Sequence, residues 1–229
     1  MIAGAIFPPY PARRVTTRMT IRSSSIERDG TRHIRSAATT VNAVAKLVYA
    51  TIMSLDGYTT DVKGNIDWGA PEPDVLEFIN DLERGIGTYL YGRKMYETMV
   101  YWETFDGSEG QQSLERDFAD LWRDAVKVVY SKTLAAATSA KTRIEPVFDP
   151  EAVLRMKESA GSDISVGGPN LAGQAILAGL VDEMHLFLTP VALGGGTAAL
   201  PDHFDSKPAL VGVDHFPSGV AHLHYRIGA

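Results

Sequence analysis

The sequence predicts an α/β protein with a mostly parallel central sheet, helices on both faces and antiparallel strands at its C-terminal edge. Three observations predict it. Short β-rich runs alternate with helical patterns from Lys46 onward; glycine or proline marks many of the junctions; and after the last helical pattern the strands follow one another directly. With 229 residues, 45% of them hydrophobic, the chain can fill a proper core. No internal repeat is visible.

The first strand is "KLVYATIMSL" (46–55), ended by the turn signal "DGY". "PEPDVLEFINDLERG" (71–85) has prolines and acids at its start, Val75, Leu76, Ile79 and Leu82 at helical spacing, and Gly85 placed to stop it, so it reads as a helix. "TYLYG" is a strand, "RKMYETMVYW" a short helix, "QQSLERDFADLWRDA" an acid-rich helical or loop segment, and "VKVVYS" a further strand. "TRIEPVF" is a strand, "DPEAVLRMKESA" a helix opening at Asp149–Pro150, "DISVGG" a strand and "PNLAGQAILAGL" a helix. "DEMHLFLTPVAL" is a long strand, and "PALVGVDHFPSGVAHLHYRIG" is a closing pair of strands joined through Pro217–Ser218–Gly219.

Composition narrows the class. There is no cysteine, which excludes a disulfide framework, a thiolate nucleophile and a Cys-ligated zinc site, and suits a cytoplasmic setting. No apolar run approaches the roughly 18 residues of a membrane span. The net charge of −6 is unevenly spread: residues 1–45 carry seven arginines against Glu27 and Asp29, so the head is basic and the body acidic. An acidic body argues against nucleic acid as the main partner. The head (1–45) has no sustained period and reads as a disordered extension, with an organelle transit peptide or an upstream start before Met19 as the alternatives. The remainder (46–229) reads as one domain.

Three strand ends carry anion-binding chemistry. At Gly167–Gly168 the backbone can approach a ligand without a Cβ in the way, and the first turn of the following helix offers free N–H groups; a plain tight turn explains the same residues. At Gly92, Arg93 and Lys94, two cations at a helix start oppose the macrodipole and invite an anion, or form a solvated charge pair. Ser131 and Lys132 add a hydroxyl and an ammonium. In open α/β sheets ligands gather beyond the carboxyl ends of the strands, so the three ends together would suit a ligand with several phosphates.

The order "ATIMSLDGY", "YLYGRKMYE", "VVYSKT", "ISVGGPNLAGQAILAGLVDEMHLFLTPVALGGGT" resembles the dihydrofolate reductase-like fold, a three-layer architecture. Within it the chain is most similar to the reductase domain of the bifunctional riboflavin-biosynthesis deaminase/reductase, the RibD C-terminal type, and its stand-alone bacterial relatives. The resemblance runs from Lys46 to the C-terminus and rests on S-L-D-G, G-R-x-x-Y, G-G-x-N-L and L-T-P-x-x-L-G-G-G-T in that order.

The resemblance implies NADPH as cofactor, with Gly92, Arg93 and Lys94 at the adenosine phosphates and Arg93 on the 2′-phosphate. Ser131 and Lys132 adjoin them. Gly167, Gly168, Asn170 and Leu171 would receive the pyrophosphate and nicotinamide ribose, and Thr51 and Ile52 would lie against the nicotinamide ring. On the substrate side it implies Ser54, Trp68 and Thr189 as contacts, and Asp56 and Asp74 as the carboxylates for orientation and proton delivery. Asp56 also reads as an Asx-turn, and Asp74, after Pro73, as a helix-dipole acid out of register with the family's proton donor.

Met95 departs from the threonine usual after G-R-x, and the H-x-E…P-C-x-x-C pattern of a zinc deaminase is absent. His222 and His224 share one strand face; without a third ligand nearby in sequence they read as the solvent side of an edge strand, with no metal. Gly194–Gly196 is a backbone approach point or a flexible turn.

The expected function is therefore an NADPH-dependent reductase of a pyrimidine- or pteridine-type heterocycle, with the 5-amino-6-(5-phosphoribosylamino)uracil reductase type first. Dihydrofolate reduction and a non-catalytic nucleotide-binding module are the alternatives. The expected partner is a small-molecule substrate, with neither nucleic acid nor membrane, and a homodimer would cover apolar edge strands such as "PALVGV" and "HLHYRI".

Overall fold

The structure is a computed structural model that describes residues 44–107 and 113–228, so the readings of the basic head lie outside the described residues except at its last two positions, where the Ala45 N–H donates to the Lys157 carbonyl at 3.1 Å. The first strand, β1 (Leu47–Ser54), lies near the middle of an eight-stranded sheet. β2 (Tyr58–Thr60) and a single 3₁₀ turn (Asp67–Gly69) lead to α1 (Pro73–Glu83), which starts at proline and carries Val75, Leu76 and Asn80 on its buried side. β3 (Ile86–Gly92) passes directly into α2 (Arg93–Met99), α3 (Tyr101–Thr104) follows, and α4 (Ser113–Asp124) precedes β4 (Val126–Tyr130).

β5 (Thr142–Glu145), α5 (Pro150–Ser159) and β6 (Asp163–Gly167) come next. Asp149 caps α5, its carboxylate accepting from the Glu151 N–H at 3.0 Å. α6 (Pro169–Leu177), β7 (Glu183–Thr189), β8 (Thr197–Ala198), β9 (Ala209–His215) and β10 (Ala221–Arg226) complete the order.

The sheet runs β5-β4-β3-β6-β1-β7-β10-β9. All pairs from β5 to β7 are parallel; β10 is antiparallel to β7 and to β9. β10 is thus interior, and only β9 of the two closing strands forms the edge, because the chain returns through Pro217–Ser218–Gly219 to insert beside β7. The small antiparallel pair β2–β8 stands apart from this sheet. It was not expected, since three polar residues and two small ones carry no period.

Alternation along the strands splits the core in two. Leu47, Tyr49, Leu90, Val128, Ile164 and Val166 pack with Val153 of α5 and with Ala172 and Ala175 of α6. On the opposite face Tyr89, Tyr91 and Val129 pack with Tyr96, Trp102, Phe118 and Trp122 from α2 to α4. Among the described residues no helix is long and apolar enough to cross a membrane.

Candidate nucleotide and substrate cleft

A cleft of ≈1390 Å³ opens on this second face, at the carboxyl ends of β1, β3 and β6. Its floor includes Ile52 of β1, Tyr89 and Tyr91 of β3, and Gly167 of β6. Such a position follows from parallel strands feeding helices: each strand ends in a turn, and the turns diverge around a crevice.

Two turns shape the cleft's polar wall. Gly168 has φ +88°, a left-handed backbone that an L side chain resists, and a Cβ at Gly167 would lie 2.6 Å from the Tyr91 ring carbon Cε1. Met95 packs against both glycines, so the methionine in place of the family threonine joins the α2 turn to the α6 turn. α6 begins without a side-chain cap, and among the described residues the N–H groups of Asn170 and Leu171 have no backbone or side-chain acceptor.

At the other turn, Arg93 Nε pairs with Glu97 Oε1 at 2.7 Å and Nη1 donates to Thr133 Oγ1 at 2.8 Å. The guanidinium is thereby held at the cleft with Nη2 outside both bonds. Lys94 lines the cleft with no hydrogen-bond or ion-pair partner among the described residues. A Cβ at Gly92 would meet nothing within 4 Å, which leaves this turn open to a ligand.

At the inner wall stands Glu83, the last residue of α1, buried and lining the cleft. Burial pushes its carboxyl up to about 7, against a smaller downward pull from the Tyr89 hydroxyl. Among the described residues neither Glu83 Oε2 nor the Tyr89 oxygen reaches hydrogen-bond geometry with a partner. Burial, and after it the negative form of Glu83, raises the Tyr91 hydroxyl, and the Tyr91 ring lies against Gly167, so the acid and the glycine turn share one patch of floor.

A sequence profile of the RibD C-terminal domain matches residues 45–221. The chain belongs to this family. It is 29% identical over 187 residues to the uncharacterized protein YyaP of Bacillus subtilis (strain 168), covering 79% of this chain and 94% of that one. Among solved structures, a putative riboflavin biosynthesis protein from Shewanella sp. PV-4 superposes with TM-score 0.63 at 17% identity, over 80% of this chain and 99% of that one. A Thermotoga maritima diaminohydroxyphosphoribosylaminopyrimidine deaminase/5-amino-6-(5-phosphoribosylamino)uracil reductase gives TM-score 0.58 at 16% identity, over 80% of this chain and 57% of that one. These two structural likenesses establish the dihydrofolate reductase-like fold.

In this RibD-type domain the residues singled out in the sequence separate into two groups. Thr51, Ile52, Trp68, Gly92, Arg93, Lys94, Gly167, Gly168, Asn170 and Leu171 all line the cleft. The rest are turned to other work. Ser131 Oγ accepts from the Thr133 and Leu134 N–H groups at 3.2 and 3.0 Å, closing its own turn, and Lys132 is exposed off the cleft. Thr189 Oγ1 donates to the Met53 carbonyl at 3.1 Å, bracing the end of β7 against β1. Ser54 Oγ donates to Asp56 and accepts from the Tyr58 N–H.

The two carboxylates expected to deliver a proton do not face the cleft. Asp56 accepts from the Ser54 hydroxyl at 2.7 Å and from the N–H groups of Leu193 and Gly194, and these bonds hold its carboxyl down at about 2. It closes a loop as an ionised group, though not as an Asx-turn: the Tyr58 N–H goes to Ser54 Oγ, and the carboxylate reaches the distant loop before β8. Asp74 Oδ1 accepts from the neighbouring Val75 N–H at 2.9 Å at the start of α1. Glu83 was overlooked because "DLERG" looks like a solvated helix end; yet it falls seven residues after Leu76, two turns along the buried stripe.

Gly194–Gly196 also has a structural task. Gly194 N–H donates to Asp56 at 2.6 Å, and a Cβ at Gly196, φ +137°, would collide with the Thr60 carbonyl.

Proposed function

We propose that the chain is an NADPH-dependent reductase of a small pyrimidine-type substrate, adding a hydride and a proton across the C=N or C=O bond of a ring-opened sugar adduct. One observation carries the reading: the cleft brings an uncapped helix start at Asn170 and Leu171 and the cations Arg93 and Lys94 to one surface, with a protonatable acid, Glu83, at its inner wall.

When bound, NADPH supplies the hydride. The chain's own residues do the rest. The Asn170 and Leu171 N–H groups and the close approach allowed at Gly167 and Gly168 suit a pyrophosphate. Arg93 and Lys94 suit a further phosphate, which would favour NADPH over NADH. Thr51, Ile52 and Trp68 form the wall against which flat rings would stack, displacing water as they bind. Glu83, raised to about 7, holds the proton that the reduced substrate atom takes up, directly or through a water, a role the ionised Asp56 cannot fill near neutrality.

The test is a fluorescence titration with NADPH and with NADH on the wild type and Arg93→Ala. Tighter binding of NADPH, with the preference lost in the variant, supports the reading. No binding of either nucleotide would sink it.

A further inference from the structure

α1 separates the cleft from a second pocket on the same sheet face. Leu76, Ile79 and Glu83 line the cleft, whereas Phe78, Asp81 and Leu82 line a pocket of ≈260 Å³ closed by β7, β10 and β9. Here the sheet assembles what the sequence keeps apart. Glu183 and His185 alternate along β7, His222 and His224 along β10, and His224 stands directly opposite His185 while Asp214 of β9 stands opposite His222. His185 and His222 are buried, at 6% and 2% exposure, so the face is not the solvent side of an edge strand.

Donor atoms of Glu183, His185 and His224 all lie within 4.8 Å of one another. His224 Nε2 is 3.3 Å from Glu183 Oε2, yet it is buried and makes no aligned hydrogen bond. A hydrogen-bond chain sets the tautomer of the other imidazole. Asp214 Oδ2, a carboxylate oxygen, only accepts, so His222 Nδ1 at 3.0 Å carries the proton. Neutral His222 then presents Nε2 as acceptor, and His185 Nδ1, 3.0 Å away, donates to it. The neutral His185 ring is left with a bare lone pair on Nε2.

We propose that Glu183, His185 and His224 bind one divalent transition-metal ion of the zinc class, with His222 and Asp214 as its outer hydrogen-bond chain. Two imidazoles and one carboxylate form a three-ligand set of the kind a borderline ion takes, with a position left for water, while hard ions such as Mg²⁺ prefer all-oxygen sites. The His185 and His224 rings stack at 4.1 Å with their planes 18° apart, so ligation requires the His224 ring to turn about its Cβ–Cγ bond to aim both lone pairs at the ion. A carboxylate–histidine chain behind a ligating imidazole is the usual way of fixing its orientation. Bound there, the ion ties β7 to β10, the point where the parallel sheet turns antiparallel. Lys46 Nζ holds Glu183 Oε1 at 2.9 Å, leaving Oε2 toward His224; its charge opposes the ion, and its half-exposed side chain is free to swing outward. Asp81 and Asp214 on the pocket wall offset that charge. The proposal is independent of the nucleotide reading.

The experiment uses the full chain without a histidine tag, with Co²⁺ followed by its visible absorption and Zn²⁺ by equilibrium dialysis. Wild type and a His203→Gln/His215→Gln control, both positions exposed, are expected to take up one ion per chain. Glu183→Gln and His224→Gln are expected to lose it, and Asp214→Asn to bind about 10- to 100-fold more weakly. Circular dichroism checks that each variant folds, and Lys46→Ala is expected to bind more tightly, a gain that unfolding cannot imitate. Absence of a stoichiometric ion in wild type, or binding unchanged in both ligand variants, overturns the proposal.

Discussion

Glu83 shows what burial does to a helix-end acid. Its carboxyl titrates near 4.5 in the unfolded chain and at about 7 in the fold, so the native state holds an extra proton between those values. Its contribution to stability is therefore greatest below 4.5, falls as pH rises from there through 7, and stays lower above it, by about 3 kcal/mol at 1.36 kcal/mol per pH unit. Glu83→Gln removes the titration and keeps the shape. In urea unfolding the variant is expected to gain on wild type between pH 5 and pH 8; parallel pH dependence in the two proteins would show that Glu83 is not protonated in the cleft. If Glu83 holds the transferred proton, turnover in the variant also loses its pH limb near 7. Gly167→Ala probes the same floor from the other side. The added Cβ meets the Tyr91 ring, itself 2% exposed and unable to withdraw, so a loss of about 1–3 kcal/mol is expected by thermal or denaturant unfolding.

At the scale of elements, Asp56 ties the end of β1 to the loop before β8, across 137 residues of chain. Held at about 2, its contribution is fully present above the unfolded value of 3.8 and is lost as pH falls through 2, so at neutral pH only mutation releases it. Asp56→Ala is expected to speed amide hydrogen exchange at Leu193 and Gly194 while the sheet amides of β1 stay protected. Unchanged exchange at both sites would remove the carboxylate from loop closure. This tie marks the limit of what the sequence discloses. The main strands and helices were legible because periodicity, Pro73 and Pro150 at helix starts and Gly92 and Gly168 at strand ends are local signals. β2 and β8 were not, being too short for a period. The cleft's glycines and cations could be read in the same local way. The diversion of Ser54, Asp56 and Thr189 to loop and strand bracing could not, because each reaches an acceptor or donor that only the folded sheet brings near.

On the scale of the whole molecule, the eight-stranded sheet has two unlike edges. β5 presents "TRIE", with Arg143 and Glu145 paired at 3.2 Å, a charged and short edge of the kind that resists pairing. β9 presents Leu210, Val211 and Val213 at 55%, 45% and 59% exposure, along seven residues whose outer backbone groups have no strand partner among the described residues. The strand's one acid, half-exposed Asp214 beside Val213, is engaged by His222 at 3.0 Å, and the same strand pairs with β10 on its inner side. A second copy of this chain, meeting it antiparallel about a two-fold axis, would satisfy both the backbone and the apolar side chains with one self-complementary contact. The expected mass by light scattering is twice the 24.8 kDa of the chain. Replacing Val211 and Val213 by lysine places four like charges across the axis and should return the monomer with the fold intact. A monomeric wild type at micromolar concentration, or a double variant that stays dimeric, would move the interface away from β9.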